Sequence, residues 1–250
     1  MDHKVEQADL EPIFEGRNGW RRIYFDLPGM GRSAAKASLR AQDDMLEAVL
    51  AFIDHVVPDG RFVLAGTSGG AYLARAVAVK RRARVAGLLL RMPAVIADTT
   101  KRTLPPQQPL VRNSALMASL DPDERLRLAD ALVQSPSYLE AFGRRRRTLV
   151  EPAIEAASPL VVEMRADPAR YGFSFDLPAM EKTFSEPTLI ITGRQDPVVG
   201  YRDAWDILES YPRASFVVLD RADHGWPIER PDLLAALVDD WLARIVLGES

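Results

Sequence analysis

The sequence has 250 residues, 47% of them hydrophobic, which suits one α/β domain with a substantial core. Its formal net charge of −3 argues against a nucleic-acid footprint, and the lack of cysteine excludes disulfides, thiolate metal sites and a cysteine nucleophile. No segment approaches the ~20 apolar residues of a membrane span and the N-terminus lacks a secretory pattern, so a cytoplasmic location is expected.

Read in chain order, strand and helix signals alternate. Arg22-Ile23-Tyr24-Phe25 reads as a strand. A helix over 38–57 carries apolar Leu46, Val49, Leu50 and Ile53 at helical spacing, and Pro58-Asp59-Gly60 stops it. A strand over 61–65 is followed by an Ala-rich helix to about Arg81 and an apolar strand at Val85 to Leu90. About 95 residues then pass without a convincing strand, too many for an ordinary loop. Helical patterns occur there instead, at Asp123 to Val133 and from Ser137 to about Ala157. Strands return at Pro187 to Gly193 and Ser215 to Asp220, with helices expected at Tyr201 to Glu209 and Pro231 to Leu247. The alternation predicts an α/β fold, a mainly parallel sheet flanked by helices on both faces.

Three segments carry chemistry. Gly66-Thr67-Ser68-Gly69-Gly70 is a G-x-S-x-G sequence between strand and helix, the context in which a serine sits exposed on a sharp turn as a nucleophile. Side chains at Gly66 and Gly70 would clash where strand and helix pass closely. The competing reading is a serine that only caps the next helix. Asp196 and His224 each follow a predicted strand, at the sheet edge where catalytic groups gather. The order Ser, acid, His is the one that accompanies this turn. A serine hydroxyl needs a base to take its proton; His224 could do so, with Asp196 holding the tautomer. Asp98 is a weaker candidate acid. His3 falls in a stretch expected to fray, and His55 near a helix end, where an imidazole suits the helix dipole. The three histidines are far apart, so no metal and no cofactor are expected.

Taken together these segments resemble the α/β-hydrolase fold family. Asp26-Leu27-Pro28-Gly29-Met30-Gly31-Arg32-Ser33 is similar to the family's loop after its fourth strand, and Gly193 to Val199 to its acid loop. Asp223 departs from the family pattern, which places glycine before the histidine. The resemblance implies a core domain over 1–93 and 186–250 and a helical lid over 94–185. It also implies a small-molecule substrate, with Gly69 N–H as one oxyanion donor and Trp226, Phe142 and Met117 as pocket residues. Met164, Tyr171 and Phe173 are further lining candidates. The family's upstream strand and His-Gly turn, which supply the other oxyanion donor, have no counterpart before Asp26; residues 1–14 resemble the helix after that turn. Either the flanking strands pair directly, or another segment or chain fills the slot, or the sequence begins downstream of a longer start; the helix-like beginning favours the last. The run Arg144-Arg145-Arg146-Arg147 points around most of a helix and reads as a solvated face, not an anion site. Two readings follow: a serine hydrolase acting on a small ester or related acyl compound, or a non-catalytic or truncated ligand-binding relative. The oligomeric state is open.

Overall fold

The computed structural model describes residues 2–181 and 183–247; residue 1, Lys182 and residues 248–250, the outermost ends of the expected core domain included, lie outside the described residues. The strands are β1 (Phe62–Thr67), β2 (Val85–Arg91), β3 (Thr188–Gly193) and β4 (Ala214–Leu219), all parallel and hydrogen-bonded in that order. Helices α1 (His3–Phe14), α2 (Gln42–Val56) and α3 (Gly69–Lys80) precede β2. Between β2 and β3 come α4 (Ser114–Ser119), α5 (Pro122–Arg127), α6 (Pro136–Arg145), α7 (Glu151–Glu155), α8 (Pro159–Ala166), α9 (Pro168–Tyr171) and α10 (Leu177–Glu181). The chain finishes with α11 (Arg202–Trp205) and α12 (Pro231–Leu247) around β4. None of the described helices is long and apolar enough to cross a membrane.

Period-two alternation builds the core. Leu89, Leu189 and Ile191 join one apolar cluster with Met45, Val49, Val238 and Trp241, while Leu88, Leu90 and Ile190 join another with Ala71, Ala74 and Ala78. β2 and β3 are buried at every residue, which is why both read as continuous apolar runs rather than alternating ones. Trp241 locks α12 to the sheet by donating its indole N–H to the Pro187 carbonyl at 2.9 Å.

The strand expected at Arg22 to Phe25 does not form. Extended backbone becomes a strand only with a hydrogen-bonded neighbour, and side chains hold this segment elsewhere. Phe25 packs on Phe52 of α2 at 4.5 Å between ring centres, and Arg22 pairs with Glu11 of α1. Cavities of about 440 and 600 Å³ are each lined by Ile23, Phe25 and Leu64, so the segment and β1 face each other across open space. β1 is therefore the edge of the described sheet, and the two flanking segments do not pair directly.

The helical stretch between β2 and β3 is more broken than its periodicity suggests. α6 and α7 join through a π-helical segment, Arg146–Val150, into one run as expected, but four helix starts in the stretch carry proline in the first turn, at Pro122, Pro136, Pro159 and Pro168. Proline there has φ ready for a helix and no N–H to waste, so it restarts helices and bars continuation from before. Residues Leu128, Ala131, Leu132, Val133, Tyr138, Leu139 and Phe142 give this stretch its own small core. Its far end is tied to α3 by a bidentate pair, Arg75 to Glu181 at 2.6 and 2.8 Å, with both side chains fully buried. The four arginines diverge as expected: Arg144 meets Glu140, Arg145 meets Asp9, Arg146 meets Glu151 and Arg147 meets Glu124. Arg145 is not solvated, however. With Arg91 it closes on the buried Asp9 and pins α1 against the sheet and α6.

Candidate active site

The turn from β1 into α3 places Ser68 in a rare conformation, φ 57° and ψ −119°, which a non-glycine residue adopts only when its surroundings over-determine it. Those surroundings are visible. Ser68 N–H donates to the Arg91 carbonyl at 3.0 Å, and its own carbonyl accepts from Tyr72 and Ala94. A Cβ on Gly66 would sit 2.5 Å from the Gly70 backbone, so only glycine allows strand and helix to pass. Gly70 differs from expectation: a Cβ there would meet open space, because that position faces the cavity instead of the strand. The Ser68 side chain makes no capping hydrogen bond to α3, leaving its hydroxyl free for other work.

Asp196 and His224 come from the loops after β3 and β4, and close packing brings those loops together. A Cβ on Gly193 would lie 2.4 Å from the Ala222 carbonyl oxygen. Gln195 stitches the same join, donating to Asp220 at 2.9 Å and accepting from Ala222 N–H at 3.2 Å. Asp196 is fully buried; its Oδ1 accepts from Val198 and Val199 N–H at 2.8 and 3.1 Å, and its Oδ2 lies 2.9 Å from His224 Nδ1. A carboxylate so anchored holds the proton on Nδ1 and turns Nε2 outward as an acceptor. Ser68, Gly69 and His224 all line the 440 Å³ cavity. The hydrogen bond between Ser68 and His224 is not closed in this state, which is common before substrate binds.

Other expected residues scatter. Phe142 lines a neighbouring cavity of about 380 Å³ that also reaches His224. Trp226 is buried in the main core beside a tight crevice, and Met117 packs on the small core of the insertion; neither lines the cavity around Ser68. Tyr171 does line it, together with Arg165 and His3. Asp98 bonds Thr100 and caps a single helical turn. His3 is a departure from the expected fraying: its ring and its N–H both reach Asp26 Oδ1 at 2.8 Å. Burial raises the Asp26 carboxyl, but hydrogen bonds from Arg32 and His3 outweigh it and leave the group below its ordinary value. The missed signal was Asp2, whose carboxylate caps α1 and so secures His3. Among the described residues, no group of three or more His, Asp and Glu could hold a metal ion.

Asp223, beside the histidine, is held by Gly225 N–H at 2.8 Å. Burial pushes its carboxyl up from the ordinary value; the Gly225 bond opposes that, and the charge on Asp196 adds to it. Between the unfolded and folded values the folded state holds the extra proton, so stability falls as pH rises through that window. Asp223→Asn keeps the acceptor and removes the charge. It is expected to raise Tm at about pH 7, with the gain vanishing by about pH 3, below the ordinary aspartate value of about 3.9, where both states are protonated. Thermal unfolding of both proteins across that range checks this, and an unchanged Tm at neutral pH counts against it.

A parallel sheet covered by helices, with a serine on a strained turn at its carboxyl edge, defines an α/β enzyme architecture. A model of the alpha/beta hydrolase family matches residues 9–237, and the chain belongs to that family. A probable proline iminopeptidase of Leptolyngbya boryana is 26% identical over 253 residues, covering 88% of this chain and 77% of that protein. Among solved structures, an alpha/beta superfamily hydrolase from Oenococcus oeni PSU-1 superposes with a TM-score of 0.83 at 24% identity, covering 98% of this chain and 89% of that one. A thermophilic esterase from Thermogutta terrifontis gives 0.65 at 22% identity, covering 98% and 86%.

Proposed function

We propose that this protein is a serine hydrolase that cleaves a small ester or related acyl compound through an acyl-enzyme. The observation that supports it most is the anchored Asp196–His224 pair opening onto the same cavity as the strained Ser68. In this reading Ser68 Oγ attacks the acyl carbon while His224 Nε2 takes its proton. Gly69 N–H, at the positive end of α3, faces the developing oxyanion. His224 then protonates the leaving group, and water releases the acid by the same route in reverse. The helices over 94–185 act as a lid that walls the cavity and excludes water, with Arg165 and Tyr171 on its inner surface. We place the protein in the cytoplasm.

The name of the iminopeptidase relative extends the substrate panel to amides of an N-terminal proline, beside short-chain esters. Labelling with a fluorophosphonate, read by intact mass beside Ser68→Ala, tests the reading. Labelling of the wild type that disappears in the variant is expected. A folded wild type that does not label removes the catalytic reading and leaves the cavity as a ligand-binding pocket.

A further inference from the structure

The cavity of about 380 Å³ meets the one around Ser68 at His224, which lines both. Its walls come from the loops after β3 and β4 and from the inserted stretch between β2 and β3; none comes from α1 or the segment before β1. Leu132, Phe142, Val150, Val198 and Ile228 make most of the wall apolar. Its arginines are already spent, Arg145 on Asp9 and Arg146 on Glu151 and Asp130. Asp223, next to His224, lines the same cavity and forms no ion pair among the described residues. One of its carboxylate oxygens accepts from Gly225 N–H at 2.8 Å, and the other has no hydrogen-bond partner among the described residues. A Cβ on Gly225 would lie 3.3 Å from the bonded oxygen, so a side chain there would crowd the carboxylate that glycine leaves uncovered. A carboxylate held in an apolar wall without a counter-charge costs stability, and beside the proposed base such a cost points to function.

We propose that this cavity takes the leaving group and that Asp223 selects one carrying a cationic amine, so that the preferred substrate is an ester of an amino alcohol. The proposal rests on the acyl-transfer reading above. In that reading His224 hands its proton to the leaving oxygen, which therefore stands at the boundary between the two cavities. As the Ser68 Oγ–carbon bond forms, the serine proton goes to His224. When the carbon–oxygen bond to the alcohol breaks, the departing oxygen takes that proton, and the ammonium keeps its own throughout. The ammonium N–H donates to the free Asp223 oxygen and supplies the missing counter-charge, while the apolar wall covers the carbon atoms around it. A carbon in place of the nitrogen would leave the carboxylate unpaired, and a site built to pair with a polar group rejects the analogue that lacks it.

The test compares wild type with Asp223→Asn, which keeps the acceptor for Gly225, on two pairs of esters alike in shape. One pair differs in the leaving group, 2-(dimethylamino)ethyl acetate against 3-methylbutyl acetate. The other differs in the acyl group, ethyl 3-(dimethylamino)propanoate against ethyl 4-methylpentanoate. The intrinsic reactivity of each ester is the same for both proteins, so the change in a pair's kcat/KM ratio reads Asp223. Wild type is expected to prefer the amine in the first pair, and Asp223→Asn to shrink that preference about 10–10²-fold, the worth of a hydrogen bond to a charged group. The ratio in the second pair is expected to be the same in both proteins. An equal loss on both members of the first pair overturns the proposal, because Asp223 would then act only through His224. A shift confined to the acyl pair overturns it too, because the cavity would then hold the acyl group, and so do ratios that never change. Wild-type cleavage of p-nitrophenyl acetate that is lost in Ser68→Ala makes these outcomes a judgement on Asp223 and its cavity alone. A wild type that cleaves no ester overturns the acyl-transfer reading and this proposal together.

Discussion

Asp196→Asn is expected to leave the fold intact and to lower kcat about 10⁴-fold. The reason lies in how the acid is held. Its Oδ1 accepts from two backbone N–H groups, of Val198 and Val199, and an asparagine in the same place would keep its carbonyl oxygen there. The amide nitrogen would then face His224 Nδ1, where Oδ2 now lies at 2.9 Å. A donor in that position forces Nδ1 to accept and moves the imidazole proton to Nε2. That tautomer cannot take the proton of Ser68. Steady-state kinetics beside a thermal melt separate this from unfolding: the expected result is a large loss of kcat with Tm nearly unchanged. Undiminished turnover would mean that some other carboxylate orients the base. Asp98 is a poor substitute, since its side chain is spent on Thr100.

Glu181→Ala should cost more stability than any single change on the surface. It would leave the guanidinium of Arg75 buried without its counter-charge, a situation worth about 3–5 kcal/mol, or roughly 10 °C in Tm for a chain of this size. Arg75 is fully buried and its Nη1 already lacks a partner, while Tyr211 donates to the same carboxylate and would be orphaned as well. The double variant Arg75→Met with Glu181→Leu is expected to recover most of the loss, because no buried charge remains. By contrast Glu140→Ala breaks the exposed pair with Arg144 and should change stability by less than about 1 kcal/mol. Urea or thermal denaturation of the three variants beside the wild type checks the ranking. Similar losses for Glu181→Ala and Glu140→Ala would show that burial is not what sets the cost.

The elements most legible from sequence were those whose residues answer to a single local cause. β2 and β3 read as apolar runs because helices cover both faces, and α12 carried a proline start and a long apolar face. The turn at Ser68 was legible because the steric demand at Gly66 falls within five residues. Less legible were properties that depend on neighbours distant in sequence. Arg22 to Phe25 has strand chemistry but no pairing partner among the described residues, and its side chains went to α1 and α2. Trp226, two residues from the histidine, turned into the core, whereas Tyr171, far away in the chain, reached the serine's turn.

The sequence by itself determined the family, the parallel layering and the three residues proposed for the chemistry, because each follows from short patterns of size, polarity and turn geometry. Tertiary structure alone decided which groups share the cavity. His3 and Tyr171 stand 65 residues before and 103 residues after Ser68, and only packing brings the three to one cavity. The physical reason is that a local pattern fixes the path of a segment, while the position of a side chain across a cavity is set by the packing of every element between.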